Sequence, residues 1–304
     1  MAKTAFLFAG QGAQAVGMGR GICEQSAAAK ALFERASQAL GYDLAAVCFE
    51  GPADRLNTTV VSQPAIFVTS LAAIEWLRQQ EPELIDQCQG TAGLSLGEYT
   101  ALAFAGAFGF DEGLALVNLR GQAMQAASEA VPSGMLAILT LDLPAVEAIC
   151  AEAQAHGLIR VANYLCPGNT VVSGEAAAIE AAEALAKARG ATAVRLSVAG
   201  AFHTPLMAPA RAQLQSKLEQ TTINPPRLPV WSNVDAAPHT DPQPIRDLLI
   251  RQVTEPVRWE SIIRGMLADG FDRFVEVGPG RVLAGLLKRI DRKVEVRNVN
   301  ALDR

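Results

Sequence analysis

The sequence holds little from which a disulfide framework, a zinc site or a nucleic-acid surface could be built. Its five cysteines, Cys23, Cys48, Cys88, Cys150 and Cys166, are odd in number and scattered, and no C-x-x-C pair occurs. That spacing argues against stapling and against metal ligation, and it fits a reducing, cytosolic setting. Positive charge is also short. Lys and Arg number 26 against 31 Asp and Glu, a net charge of −5, which leaves no basic footprint for nucleic acid. Long apolar runs are missing too. The first, residues 4–9, is too short to span a bilayer and leads into Gly10-Gln11-Gly12 rather than a small-residue cleavage site, so it reads as a buried strand. No other segment reads as long and apolar enough to cross a membrane. Histidine is scarce, with only three in the chain, so a histidine base must be His156, His203 or His239.

What is present suits a packed core. Half of the 304 residues are hydrophobic and 19% are charged, enough for one large domain or two smaller ones. Apolar spacing predicts helices over 24–40, 64–80, 97–105, 111–130, 207–220, 243–252, 257–269 and 280–290. Strands fit 4–9, 228–232, 272–277 and 294–298, and the short run 89–94 leads into a turn. This mixture indicates an α/β layer structure with a mainly parallel sheet. The middle of the chain differs. Strand 134–140, helix 144–156, strands 158–164 and 170–173, helix 175–189 and strand 193–198 follow the order βαββαβ, the ferredoxin-like pattern. The Pro-rich stretch 225–244 reads as a loop around one strand.

One short pattern carries chemistry. Gly93-Leu94-Ser95-Leu96-Gly97 is G-x-S-x-G, the nucleophile elbow, in which serine sits on a sharp strand-to-helix turn. Chance would yield about 0.1 such matches in a chain with this much Gly and Ser. The plain alternative is a glycine-flanked turn serine. Serine needs a base, because its hydroxyl does not ionise near neutrality. His156 ends a helix, and His239 lies in the Pro-rich loop and is expected to be exposed. His203, in Gly200-Ala201-Phe202-His203-Thr204-Pro205, follows the last strand of the insert and is the favoured base. Asp235 and Glu276 are candidate third members of a triad, but no sequence feature ties either to His203. A backbone carbonyl could orient the imidazole instead.

Five landmarks occur together and in order: Phe8-Ala9-Gly10-Gln11-Gly12-Ala13-Gln14, residues 93–102, Arg120-Gly121 with Met124-Gln125, residues 200–207, and Glu276-Val277-Gly278-Pro279-Gly280. Together they resemble the malonyl-CoA:acyl carrier protein transacylases of fatty acid synthesis, from about residue 4 to about 300. The resemblance implies a large α/β-hydrolase-like domain with a parallel sheet, formed by residues 1–130 and 199–304, and an inserted ferredoxin-like subdomain at 131–198. It implies acylation of Ser95 with His203 as general base and acid, and with the imidazole oriented by the backbone carbonyl of Gln252. The backbone N–H groups of Gln11 and Leu96 would form the oxyanion hole.

Arg120 would bind the malonyl carboxylate, which a guanidinium can grip with two parallel hydrogen bonds. Read without the resemblance, it is a surface arginine in a salt bridge. Phe202 would fill the space that an α-methyl group needs, and Met124 and Val282 would complete an apolar wall; each also reads simply as a core residue. Asn163 matches the pattern as a substrate contact. Leu94 departs from it, standing where histidine is usual. Leu165, Cys166 and Asn169 depart as well, on a loop expected to face the cleft.

Malonyl-CoA is the implied substrate and acyl carrier protein the partner, with no metal or redox cofactor, no nucleic acid and no membrane. Acyl carrier proteins are acidic, so a basic patch is expected at the cleft mouth, with Lys187, Arg189 and Lys217 as candidates. Nothing marks a large self-association surface, and a monomer is expected. A malonyl transferase for a polyketide or malonate-decarboxylase carrier, a thioesterase or other serine hydrolase, and a non-catalytic carrier-binding scaffold are the alternatives.

Overall fold

The computed structural model describes residues 3–300. Its strands, in chain order, are β1 (Lys3–Phe8), β2 (Cys88–Gly93), β3 (Ser133–Leu139), β4 (Ile159–Cys166), β5 (Asn169–Glu175), β6 (Thr192–Arg195), β7 (Val230–Trp231), β8 (Pro238–His239), β9 (Phe271–Gly278) and β10 (Glu295–Asn300). The larger sheet runs β10-β9-β1-β2-β7-β8, parallel from β10 to β7 with β8 antiparallel at the edge. The protein is thus an α/β fold with a mixed, mainly parallel sheet. A parallel sheet is covered on both faces and its strands read as continuous apolar runs. That is why Ala5, Phe6, Leu7 and Phe8 of the central β1 are all fully buried. The smaller sheet runs β4-β5-β3-β6 and every pairing in it is antiparallel. Helices Leu143–Ala153 and Ala176–Ala188 pack on it around Leu136, Ile138, Val146, Ile149 and Ile179.

Differences from the sequence expectation lie mostly at element ends. The predicted helix 24–40 breaks at Ser26, whose extended backbone lets its side chain cap Ala29 N–H. The predicted helix 64–80 begins earlier, at Thr59, and takes Pro64 within its first two turns. This helix, Thr59–Gln80, corrects the reading that no later segment could cross a bilayer. By length and composition it is sufficient, but 78% of its most apolar window is buried inside the protein. It is apolar on all sides because it is a core helix. Short helices at Leu44–Glu50, Ala53–Leu56 and Pro82–Asp86 gave no clear periodic signal. The last strand of the small sheet stops at Arg195, and the chain continues to His203 without regular structure.

The small sheet is tied to the large domain's loop after helix Pro242–Gln252 at a place that matters for the site. After helix Pro242–Gln252, Val257 N–H donates to the Ala162 carbonyl at 2.8 Å and Tyr164 N–H donates to the Val257 carbonyl at 2.9 Å. The segment that follows Gln252 is therefore laid along β4.

Candidate active site

β2 ends at Gly93 and helix Leu96–Phe104 begins three positions later, so Leu94 and Ser95 form the turn, with Ser95 at the helix N-cap. Its φ of 53° lies where a residue with a side chain is strained, at a cost on the order of 1–3 kcal/mol. The residues two positions to either side, Gly93 and Gly97, must be glycine. A Cβ on Gly93 would lie 1.9 Å from the Gly97 carbonyl carbon, and one on Gly97 would lie 2.1 Å from the Phe8 oxygen. The strained turn is strapped by Asn233, whose Oδ1 accepts from Ser95 N–H at 2.6 Å and whose Nδ2 donates to the Gly93 carbonyl at 2.7 Å.

His203 meets this turn from the other side. Its Nε2 lies 2.9 Å from Ser95 Oγ, and its Nδ1 lies 2.8 Å from the Gln252 carbonyl and 3.1 Å from the Glu255 carbonyl. Carbonyl oxygens only accept, so Nδ1 carries the proton and Nε2 is left to receive one from the serine. Burial and, secondarily, the nearby Arg120 lower the His203 pKa to about 4, with the two carbonyl bonds opposing. The imidazole is thus neutral near pH 7. The other histidines are elsewhere. His156 is exposed in the turn after helix Leu143–Ala153. His239, expected to be exposed, is partly buried and lies 2.9 Å from Asp235. Neither candidate acid reaches His203: Asp235 meets His239, and Glu276 accepts from the backbone N–H groups of Leu283 and Ala284.

Arg120 is not the surface arginine of the plain reading. Only 1% of it is exposed, on the inner face of helix Phe110–Ala130. Nη1 donates to Gln63 Oε1 at 2.9 Å, and Nη2 donates to Ser95 Oγ at 2.9 Å and to Gln252 Oε1 at 3.0 Å. Its Nε–H has no acceptor among the described residues. The guanidinium carbon stands 5.5 Å from the centre of the Tyr99 ring. Burial lowers its pKa, with Tyr99 and Glu98 opposing, yet an arginine keeps its charge. A buried cation with an unmet donor beside a nucleophile suits an anionic ligand.

Gln11 lies in the loop after β1, and Leu96 opens the helix behind Ser95. Among the described residues neither backbone N–H donates to a protein acceptor. Met124 and Phe202 are buried in the same apolar cluster. Asn163 is half-buried on β4, and its Oδ1 lacks a partner among the described residues.

Other expected members of the site lie differently. Val282 opens helix Val282–Ile290 and is 45% exposed, so it is not a core residue, and no described contact joins it to Ser95. Leu165 and Cys166 line a cavity with Asp142, Arg258 and Glu260, and neither Ser95, Arg120 nor His203 lines that cavity. Lys187 pairs with Glu183, Arg189 with Glu152 and Lys217 with Glu112, so these three make no free basic patch. Leu94 has an apolar role: it is buried with Ala9 and Ala13 of the loop that carries Gln11.

Sequence reasoning missed four residues that wire the site: Gln63, Glu98, Asn233 and the side chain of Gln252. Glu98 had a visible signal, as the only charged residue in helix Leu96–Phe104. Buried charges are rarely left without a partner.

Known proteins share this sequence and fold. The acyl transferase domain family matches residues 5–301. The malonyl CoA-acyl carrier protein transacylase of Bacillus subtilis is 42% identical over 302 residues, spanning 97% of this chain and 92% of that protein. The acyl carrier protein S-malonyltransferase of Vibrio cholerae superposes with a TM-score of 0.92 at 42% identity, covering 98% of this chain and 97% of the other. A malonyl-transacylase solved in a holo complex with its type II PKS acyl carrier protein superposes with a TM-score of 0.93 at 36% identity, covering 98% and 95%. With a family match over nearly its whole length and relatives this similar, the chain belongs to the acyl transferase family.

Proposed function

We propose that this protein transfers a malonyl group from malonyl-CoA to the phosphopantetheine thiol of acyl carrier protein, through a malonyl ester on Ser95, and so supplies fatty acid synthesis. The observation that carries this reading is the position of Ser95 Oγ, 2.9 Å from both a neutral histidine nitrogen and a buried arginine. The names of the relatives support the substrate, and the solved carrier complex of one of them supports the partner.

In the forward half-reaction His203 Nε2 takes the Ser95 proton as Oγ attacks the thioester carbonyl. The Gln11 and Leu96 N–H groups receive the oxyanion, aided by the positive end of helix Leu96–Phe104. Imidazolium then returns the proton to the departing CoA sulfur. The return half repeats these steps with the carrier thiol as nucleophile. Backbone carbonyls fix the tautomer of His203 and stabilise imidazolium less than a carboxylate would. Arg120 grips the malonyl carboxylate through Nε–H and the Nη groups, and an acetyl group would leave that cation unmet. Phe202 occupies the space of an α-methyl group, Met124 borders the acyl chain, and Asn163 supplies a polar contact from β4. The chemistry needs no metal or redox group.

Residues 1–130 and 199–304 form an α/β-hydrolase-like catalytic domain in this reading, with residues 131–198 as a ferredoxin-like subdomain. The strand order β4-β5-β3-β6 supports the second assignment. The protein works as a monomer in the cytoplasm, a setting that suits its five free, buried cysteines.

The test offers malonyl-CoA with and without purified holo carriers of fatty acid, polyketide and malonate-decarboxylase type. Transfer to a fatty acid carrier at least 100-fold faster than release to water is expected. Hydrolysis as fast as transfer would make the protein a hydrolase instead, and transfer to another carrier alone would reassign the partner.

A further inference from the structure

Glu98 has no place in the steps above, yet it is almost wholly buried beneath the nucleophile, with 3% exposed. Its Oε2 accepts from Gln252 Nε2 at 2.7 Å and from Asn233 N–H at 3.1 Å. Each of these partners holds one half of the reacting pair. Gln252 presents its carbonyl to His203 Nδ1, while its side chain bonds the Ser95 carbonyl at 3.0 Å and accepts from Arg120 at 3.0 Å. Asn233 straps the Ser95 turn through two hydrogen bonds. A single carboxyl oxygen therefore joins the support of the base, the support of the nucleophile and, through one amide, the arginine.

We propose that Glu98 is a positioning residue, which fixes the Ser95–His203 distance by holding Gln252 and Asn233 with one acceptor oxygen. The inference rests on the acyl-transfer role of Ser95. It separates hydrogen bonding from charge and from volume. Burial raises the Glu98 carboxyl to about 7, with bonds from Gln252, Asn233 and Ser232 opposing. An uncharged group that keeps an acceptor at Oε2 still satisfies both donors. Gln at this position meets that requirement; Met keeps the volume and loses the acceptor, leaving two buried donors unmet.

Three variants, Glu98→Met, Glu98→Gln and Gln252→Met, are assayed for malonyl transfer and for phosphonylation of Ser95 by a fluorophosphonate. In that reaction Oγ displaces fluoride from phosphorus and His203 takes the proton, so no malonyl recognition is involved. The expected result for Glu98→Met is a kcat lower by at least 30-fold, with the KM for malonyl-CoA within threefold and a similar loss in phosphonylation rate. Glu98→Gln is expected to recover at least tenfold over the Met variant in both assays. Gln252→Met removes the amide that Glu98 holds, together with its bonds to Arg120 and the Ser95 carbonyl, while leaving the backbone carbonyl; it should also lose at least tenfold in kcat, so native-like turnover in it overturns the proposal even if Glu98→Met does not fold. A Met variant at either position with kcat within threefold of native, or a folded Glu98→Gln as slow as Glu98→Met, would overturn the proposal. Native protein that is phosphonylated but takes no malonyl group would instead overturn the malonyl reading and leave Glu98 to be judged on the phosphonylation rates.

Discussion

The two sheets contribute to the molecule in different ways. On the large sheet, the polar groups around Ser95 are wired to one another: His203, Gln252, Glu98, Asn233, Arg120 and Gln63 form one hydrogen-bonded set. On the small sheet, Asn163 Oδ1 and Asn169 Oδ1 have no partner among the described residues, and Leu165 and Cys166 stand on the intervening strand end. A buried hydrogen-bonded network is costly to alter, because removing one member strands the others. A half-buried strand with spare acceptors tolerates change.

Substitutions can break that contrast, and the largest effects are expected on the large sheet. Ser95→Ala should abolish malonyl transfer, with no covalent adduct visible by intact mass. Arg120→Ala should lower malonyl kcat/KM by at least about 100-fold, near 3 kcal/mol, and spare or raise acetyl transfer, measured side by side with the two thioesters. Equal losses with both donors would remove the carboxylate clamp. On the small sheet, Leu165→Ala should change malonyl kcat/KM by about threefold or less, near 0.7 kcal/mol. A loss of 100-fold there would erase the contrast.

Acidity sharpens it further. With His203 at about 4, Ser95 phosphonylation should be level from pH 8 to pH 5 and fall by about tenfold per unit below pH 4. The linked stability has a definite sign. The His203 pKa is lowered in the folded state, so its contribution is full above 6.5 and declines as pH falls from 6.5 toward 4. Glu98 is raised from 4.5 to about 7, so its contribution is full below 4.5 and is lost as pH rises through 7. The melting temperature of Glu98→Gln relative to native should therefore be higher at pH 8 than at pH 5, by a few degrees; the reverse order would mean that burial of that charge is not destabilising.

Much of the site was legible in the chain because its chemistry is concentrated in local runs. Gly93 to Gly97 announces the turn, and Phe202-His203 and Arg120-Gly121 stand in recognisable company. The wiring was not legible, because it is non-local: Glu98 reaches Gln252 across 154 positions and Asn233 reaches Ser95 across 138. No periodicity encodes such contacts. In the fold, long helices such as Phe110–Ala130 were readable from composition and the strand at 228–232 is present, shortened to Val230–Trp231, whereas the two-residue strand Pro238–His239 was read as loop because only its pairing with β7 makes it a strand. Lys187 was misread for a different reason. Its partner Glu183 lies one helical turn away, and that spacing is visible in sequence.

The central claim is that Ser95 carries the malonyl group and yields it to a thiol. The most direct measurement is the mass of the Ser95 peptide after brief mixing with malonyl-CoA, followed by a chase with holo carrier or with buffer alone. A malonyl mass on that peptide, lost within seconds to the carrier and retained in buffer, is the predicted result. An unmodified Ser95 peptide, or an adduct discharged as fast by buffer as by carrier, would contradict it.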